Sequence, residues 1–271
     1  MPIFSCATLK GGCGKTTTAI NLAAALLREG KTVLLIDSDP QANLSQSLGI
    51  PDDPGKNLFT ELSKEIAGEG GQLAEAIVQT KSGIDVIASS IELAGTELEL
   101  VSVYGREQMF TWMLENLKNK YDFIFIDCPP SIGMLTVNAL VASNYILMPM
   151  PAEYLPLRGV RSFMSHLKAI KKLNKHLEVF GFVITRYDER KIMNRQIREE
   201  LESEFGDKIF KTHIRSNIQL ANAQQAGKDI FSFDKHCHGA EDYSKLAEEF
   251  LQKMISAGKE KIQDKQLTGT S

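Results

Sequence analysis

The sequence predicts a doubly wound α/β fold, with a mainly parallel sheet and helices on both faces. Three observations carry that prediction. Short, continuously apolar runs such as Val33-Leu34-Leu35-Ile36 read as strands buried on both sides. They alternate along the chain with segments of helical periodicity. The first run, Ile3-Phe4-Ser5-Cys6-Ala7, joins the first helical segment through a glycine-rich turn, Lys10-Gly11-Gly12-Cys13-Gly14-Lys15-Thr16. Strand, glycine turn and helix in that order make a phosphate cradle rather than a chance string.

The elements follow in order. The helical pattern after the turn runs over Ala19 to Leu27 and stops at Arg28-Glu29-Gly30. The apolar run 33–36 ends in Asp37-Ser38-Asp39-Pro40, which places two carboxylates at the strand's carboxyl end, on the ligand side of an open sheet. Strand alternation points both the same way. Asp39 before Pro40 is also readable as a helix cap. Residues 49–72 are rich in Gly, Pro and charge, and read as loops around a short helix at 58–66. Residues 73–78 read as another short helix and 84–88 as a strand. Residues 91–100 and 108–117 read as helices, the second placing Trp112 in the core.

Tyr121-Asp122-Phe123-Ile124-Phe125-Ile126-Asp127 is a further buried strand ending on a carboxylate, followed by Cys128-Pro129-Pro130-Ser131. Cys128 reads as a packing residue. Helix 134–142, strand 145–150, a basic amphipathic helix at 157–173, strand 179–185 and a charged helix at 191–205 come next. Ile209-Phe210 would begin an edge strand, and 218–226 and 240–255 complete the helices. A single domain spans 1–257. Residues 258–271 are polar without periodicity and read as a flexible tail.

Composition bounds the function. With 43% hydrophobic and 24% charged residues, the 271-residue chain can bury a large core. A net charge of −3 means that any nucleic-acid contact must come from a local patch. Cys6, Cys13, Cys128 and Cys237 lie far apart and form no C-x-x-C, which argues against a disulfide framework and a cysteine-rich metal site. No apolar run approaches the ~18 residues of a membrane span. A soluble cytoplasmic protein is expected.

The chemistry sits at three strand ends. In the cradle, glycines let backbone N–H groups converge on anionic oxygens at a helix N-terminus. Lys15 can reach the terminal phosphates, and the Thr16 hydroxyl can ligate Mg²⁺. Asp127, at the end of a neighbouring strand, can support that ion. The common pattern G-x-x-x-x-G-K-[ST] requires glycine at position 9, where this chain has leucine, and an extra lysine follows at Lys10.

Taken together, K-G-G-x-G-K-T-T, L-L-I-D-S-D-P-Q and F-I-F-I-D-C-P-P resemble the deviant Walker A ATPases, the ParA/MinD group. The C-terminal part, with Asn217, Gly227, Gly239-Ala240, Tyr243, Leu246 and Ala247, is more similar to the ParA partition branch. The resemblance implies ATP and Mg²⁺ as cofactors and hydrolysis of ATP to ADP and phosphate. It makes Lys10 the signature lysine, which crosses a nucleotide-sandwich homodimer. Gly11, Gly12, Cys13, Gly14, Lys15, Thr16 and Thr17 match the cradle. Asp39 matches the carboxylate that positions the attacking water, Asp37 and Asp127 the acidic residues around Mg²⁺, and Asn217 a position near the adenine. Lys10, Lys15 and Asp39 would then be catalytic.

The resemblance further implies non-specific DNA binding by the ATP-bound dimer, nucleoid association, and a ParB-like adaptor that stimulates hydrolysis. Arg190 matches a basic family position, and Lys211 and Arg215 are further DNA candidates. All three are equally readable as solvated charge. The family's P-R-N-x-R segment reads Arg215-Ser216-Asn217-Ile218-Gln219, so neither of its two arginine positions holds an arginine. Three other readings compete. One is a MinD-like spatial regulator or a positioning ATPase for a non-DNA cargo; the membrane-organising form would want a C-terminal amphipathic helix, where residues 259–271 hold only Ile262 and Leu267 as large apolar side chains. An iron–sulfur carrier would want a C-x-x-C. A nucleotide-gated binding module would have no use for a water-orienting Asp39.

Overall fold

The computed structural model describes the chain except residues 53, 118, 154–155 and 268–271; side chains are described outside 156–158 and 260–267 as well. Seven strands form one sheet: β1 (Ile3–Cys6), β2 (Val33–Asp37), β3 (Ile77–Gln79), β4 (Asp85–Ile87), β5 (Phe123–Asp127), β6 (Tyr145–Pro151) and β7 (Glu178–Thr185). Their order is β3-β4-β2-β5-β1-β6-β7. Every pairing is parallel except β3 with β4. Strands β2 and β5 are buried along their whole length, as their unbroken apolar runs require.

Helices cover both faces. On one lie α1 (Lys15–Arg28), α2 (Asn43–Ser47), α9 (Ile218–Gln225), α10 (Ile230–Asp234) and α11 (His238–Leu267). Their core is aromatic: Phe4 stacks on Phe125 and Tyr145 at 5.2 Å each, and Phe250 of α11 lies 5.0 Å from Phe4. The other face carries α3 (Leu58–Ile66), α4 (Leu93–Glu99), α5 (Met109–Met113), α6 (Met134–Ala142), α7 (Pro156–Ile170) and α8 (Ile192–Phe205), over an aliphatic core. Asn21 of α1 fastens the first layer. Its amide donates to the Thr17 carbonyl at 2.8 Å and its oxygen accepts from Ile230 N–H at 2.8 Å.

Several expectations are corrected. Residues 73–78 are not one helix: a 3₁₀ turn, Leu73–Ala76, leads into β3, the antiparallel edge. Ile209 makes a lone bridge to Phe182 rather than starting a strand, although Phe210 N–H still donates to the Phe182 carbonyl at 3.0 Å. The helix expected over 108–117 is α5 followed by a 3₁₀ turn, Glu115–Leu117. Trp112 is 41% exposed rather than core. The segment expected as a tail is helical as far as Leu267, because α11 runs on past the sheet; residues 268–271 lie outside the described chain. Among the described residues no helix is long and apolar enough to cross a membrane.

Candidate active site

The parallel strands all end on one edge of the sheet, and the turn after β1, an inner strand beside the central β5, opens there. Gly12 and Gly14 take φ of 70° and 87°, the left-handed region that a Cβ disfavours. Gly14 is the N-cap of α1, and no side chain caps the helix. The first-turn N–H groups are therefore left for a ligand. Side chains brace the turn from behind: Thr8 Oγ1 donates to the Lys10 carbonyl at 3.2 Å, and Thr185 Oγ1, from the end of β7, donates to the Cys13 carbonyl at 2.9 Å. Lys15 is buried.

A cleft of about 540 Å³ lies over this turn. Gly11, Gly12, Cys13, Gly14, Lys15, Thr16 and Thr17 form its floor, with Asp39, Arg186 and Asn217 at its sides. Thr17 Oγ1 donates to Gln224 of α9 at 3.4 Å.

The carboxylates divide into two roles. Thr16 Oγ1 donates to Asp127 Oδ2 at 2.6 Å, while Asp127 Oδ1 is buried without a hydrogen-bond partner. Burial, then the charge of Asp37, push the Asp127 carboxyl up to about 8; the Thr16 hydrogen bond and the Lys15 ammonium pull less strongly the other way. A buried, half-unsatisfied carboxylate beside a hydroxyl at the cleft floor fits a divalent cation held by Thr16 and backed by Asp127. Asp37, like Asp127, is buried and is not among the residues lining the cleft, and burial pushes it up to about 6. Its Oδ2 accepts from Ser45 N–H at 2.9 Å and Ser45 Oγ at 2.8 Å, and its Oδ1 from Asp39 N–H at 3.2 Å. Asp37 thus shapes the loop that presents Asp39. That loop turns back on itself, with Asp39 Oδ1 accepting from Gln41 N–H at 3.0 Å.

Lys10 precedes Gly11 of the cleft floor without itself lining the cleft, and its ammonium lies 3.6 Å from Glu153. Arg186 reaches the same carboxylate at 3.3 Å. Arg186 sits at a φ of 54°, unusual for a residue with a side chain, just past β7. Its Nη2 lies 3.9 Å from where a Cβ on Gly12 would stand. Sequence reading missed Glu153, Thr185, Arg186 and Gln224. The signal available was position: Thr185-Arg186 closes a buried strand on the ligand edge, as Asp37 and Asp127 do.

The remaining candidates fall elsewhere. Asn217 lines the cleft but also caps α9, accepting from Gln219 N–H at 2.9 Å. Arg215 also lines it, yet its guanidinium is held by Asp242 at 2.5 Å and Glu241 at 2.6 Å, both on α11. Arg190 is paired with Asp188 in its own turn at 3.0 Å and is exposed. Lys211 is exposed on the segment after α8, where its N–H donates to Glu249 of α11 at 2.8 Å. The three DNA candidates therefore do not share one unpaired basic face. Cys128 is buried and its thiol is pushed up to about 12, first by burial, which suits the packing role. Among the described residues no group of three or more His, Cys, Asp or Glu could hold a metal ion.

Residues 1–179 match the family model described as an AAA domain. The sporulation initiation inhibitor protein Soj of Bacillus subtilis is 40% identical over 249 residues, covering 91% of this chain and 97% of that protein. The chromosome partitioning protein ParA of Caulobacter vibrioides is 36% identical over 252 residues, covering 92% and 93%. Among solved structures, cobyrinic acid a,c-diamide synthase of Mycobacterium smegmatis with a bound ATP analogue and magnesium superposes with a TM-score of 0.81 at 29% identity, covering 95% of this chain and 97% of that one.

Proposed function

The chain belongs to the ParA-type partition ATPases, and from that premise we propose that it hydrolyses Mg²⁺-bound ATP in this cleft to drive segregation of plasmid or chromosomal DNA. One observation carries the reading. At the uncapped N-terminus of α1, the Thr16 hydroxyl is tied to Asp127, whose other oxygen is buried and unpartnered. A buried carboxylate in that state matches a Mg²⁺–phosphate ligand far better than solvent or a purely structural turn.

The backbone of Gly11 to Thr17 would hold the phosphates, with Lys15 as a fixed cation beside them. Thr16 and Asp127 would hold Mg²⁺, which supplies charge neutralisation between the phosphates when bound. Asp39 is held at the cleft by the Asp37–Ser45 framework and would orient the attacking water. Asn217, at the far side of the cleft, would border the base.

Lys10 is the residue through which hydrolysis would depend on assembly. Its pairing with Glu153 is half-exposed, hence worth little, and exchangeable for a phosphate presented by a second copy in a sandwich dimer. A ParB-like adaptor and non-specific DNA complete the proposal, as in a partition cycle run from the cytoplasm and the nucleoid. The test is Asp39→Ala. ATP-analogue binding should persist while phosphate release falls by about two orders of magnitude or more. Ordinary turnover in that variant would remove Asp39 from the mechanism.

A further inference from the structure

The basic amphipathic helix of the sequence is α7, and the fold sets it along a groove that the cleft does not use. A cavity of about 450 Å³ runs between α7, the start of β7 and the end of α8. Met164, Leu167, Val179 and Phe205 give it an apolar floor. That floor is firm, because Leu167 is buried in the core and Phe205 packs on Phe182 with ring centroids 4.5 Å apart. None of its lining residues lines the cleft at Gly11 to Thr17, so an occupant here is independent of the ATPase reading.

The rim is cationic, and its charges differ in how free they are. Arg161 of α7 and Glu204 of α8 join the two walls, the guanidinium donating to both carboxylate oxygens at 3.1 Å and 2.8 Å. Lys168 and Lys171 also line the groove, are exposed, and have no ion-pair partner among the described residues. From residue 154 to 177 the chain holds Arg158, Arg161, Lys168, Lys171, Lys172 and Lys175, and no Asp or Glu. The acids on neighbouring elements are Glu178 at the start of β7, Glu200 and Glu202 on α8, and Asp207 just past it. Glu202 is paired with Arg198 at 2.7 Å. Lys168 and Lys171 are thus the cations left for a ligand.

Charge and shape together choose the occupant. A phosphodiester backbone would leave the apolar floor unused and meet Glu204 in the wall. A flat bilayer surface does not reach a floor sunk between two helices. A second copy across a two-fold axis would bring the same lysines to the same place. A segment with apolar side chains on one side and carboxylates on the other satisfies floor and rim at once. From Arg161 to Lys171 the groove follows about 15 Å of helix, room for about three turns of such a segment.

We propose that the groove between α7 and the end of α8 docks an acidic amphipathic segment of a partner protein. Lys168 and Lys171 take its carboxylates, and the floor takes its apolar side chains. The probe is a dye-labelled synthetic peptide of about four helical turns, with Leu at helical spacing and Glu elsewhere. A control peptide of equal charge has Ser for every Leu. Fluorescence anisotropy at about 0.15 M salt, where the Debye length is about 8 Å, reads both. Saturable binding of the Leu peptide is expected, with the Ser peptide about tenfold weaker or more. Lys168→Glu/Lys171→Glu should weaken the Leu peptide about tenfold or more. Lys172→Glu/Lys175→Glu, the same charge change outside the groove lining, should weaken it about twofold at most. Lys168→Gln/Lys171→Gln should flatten its salt dependence. Because these lysines are exposed and lie away from the cleft, thermal unfolding and ATP-analogue binding should match the parent.

Absence of saturable binding would overturn the proposal. Equal binding of the Ser peptide, or equal losses in the two Glu double variants, would reduce the surface to diffuse charge and overturn it as well. Duplex DNA that is bound by the parent and lost in Lys168→Glu/Lys171→Glu would make nucleic acid the occupant instead. Sedimentation that shows self-association abolished by the same variant would make it a second copy.

Discussion

Single side chains beside the cleft hold competing charges. Glu153 is shared by Lys10 and Arg186, at 3.6 Å and 3.3 Å, and both pairs are half-exposed. Each is worth at most about 1 kcal/mol in water, so Glu153 restrains Lys10 weakly. If Lys10 is the group that meets a second copy's phosphates, Glu153→Gln should strengthen ATP-dependent dimerisation by no more than about fivefold, and Lys10→Ala should weaken it while ATP-analogue binding persists. Sedimentation of the two variants with a non-hydrolysable analogue checks both. Opposite or absent effects would detach Lys10 from assembly. Beneath the cleft floor the stakes are larger. Asp127→Asn keeps the shape but removes the charge that backs Thr16. The gain in nucleotide affinity on adding Mg²⁺ should fall roughly 10–100-fold, whereas affinity without Mg²⁺ should hold. A loss equal in both conditions would make Asp127 a purely structural residue.

At the scale of elements, α11 is tied to the segment between α8 and α9 through charge. Arg215 donates to Asp242 and Glu241, and Arg215 N–H also donates to Asp242 at 2.8 Å. Asp242 is nearly buried, so Arg215→Ala leaves a carboxylate short of its partner at a cost of roughly 1–3 kcal/mol. Urea midpoints at constant m would read it. Glu241 gives the pH signature. Lys245, then Arg215 and His238, hold its carboxyl down at about 2 in the folded chain, against 4.5 ordinarily. A depressed carboxylate binds fewer protons folded than unfolded, so its contribution is complete above pH 4.5 and is lost as pH falls towards 2. The difference in urea midpoint between the parent and Glu241→Gln should therefore be present at neutral pH and shrink through that window. A difference that persists unchanged at low pH would assign it to packing.

The same scale shows how much was legible beforehand. Strands β2 and β5 and the turn at Gly11 to Thr17 could be read because each is written in consecutive residues, apolar run or glycine spacing. The short edge β3 could not, since three residues paired antiparallel owe their state to β4 and not to their own pattern. Thr185 braces Cys13 from 172 positions away, and Glu153 meets Lys10 only because β6 and β7 lie beside β1. Asp37 shows the opposite limit. Its place at a strand end was readable, but a burial that gives both oxygens to Ser45 and Asp39 was not. Trp112 misled in the same way: α5 buries Met109, Phe110 and Met113, and Trp112 falls on its other side.

For the molecule as a whole, the question is where a chain of net charge −3 would meet a polyanion. Bulk attraction is absent, so binding must come from local cations and fall steeply with salt. The structure separates the candidates. Arg215 is spent on α11, and its exchange should alter stability while leaving the salt slope intact. Arg190 is paired only within its own turn, and its side chain is 90% exposed, where an ion pair is readily traded for a phosphate. If the ATP-bound dimer binds DNA through Arg190, Arg190→Ala should weaken binding uniformly across sequences. For each phosphate that Arg190 no longer neutralises, the slope of log K against log salt should fall by about 0.9, or by about twice that when both copies of a dimer contribute. The comparison must be run with ATP, with ADP and without nucleotide, because the proposed interface exists only in the first. An unchanged slope in Arg190→Ala with ATP would move the DNA surface away from the segment after β7. Equal binding in all three nucleotide states would show that assembly does not create it.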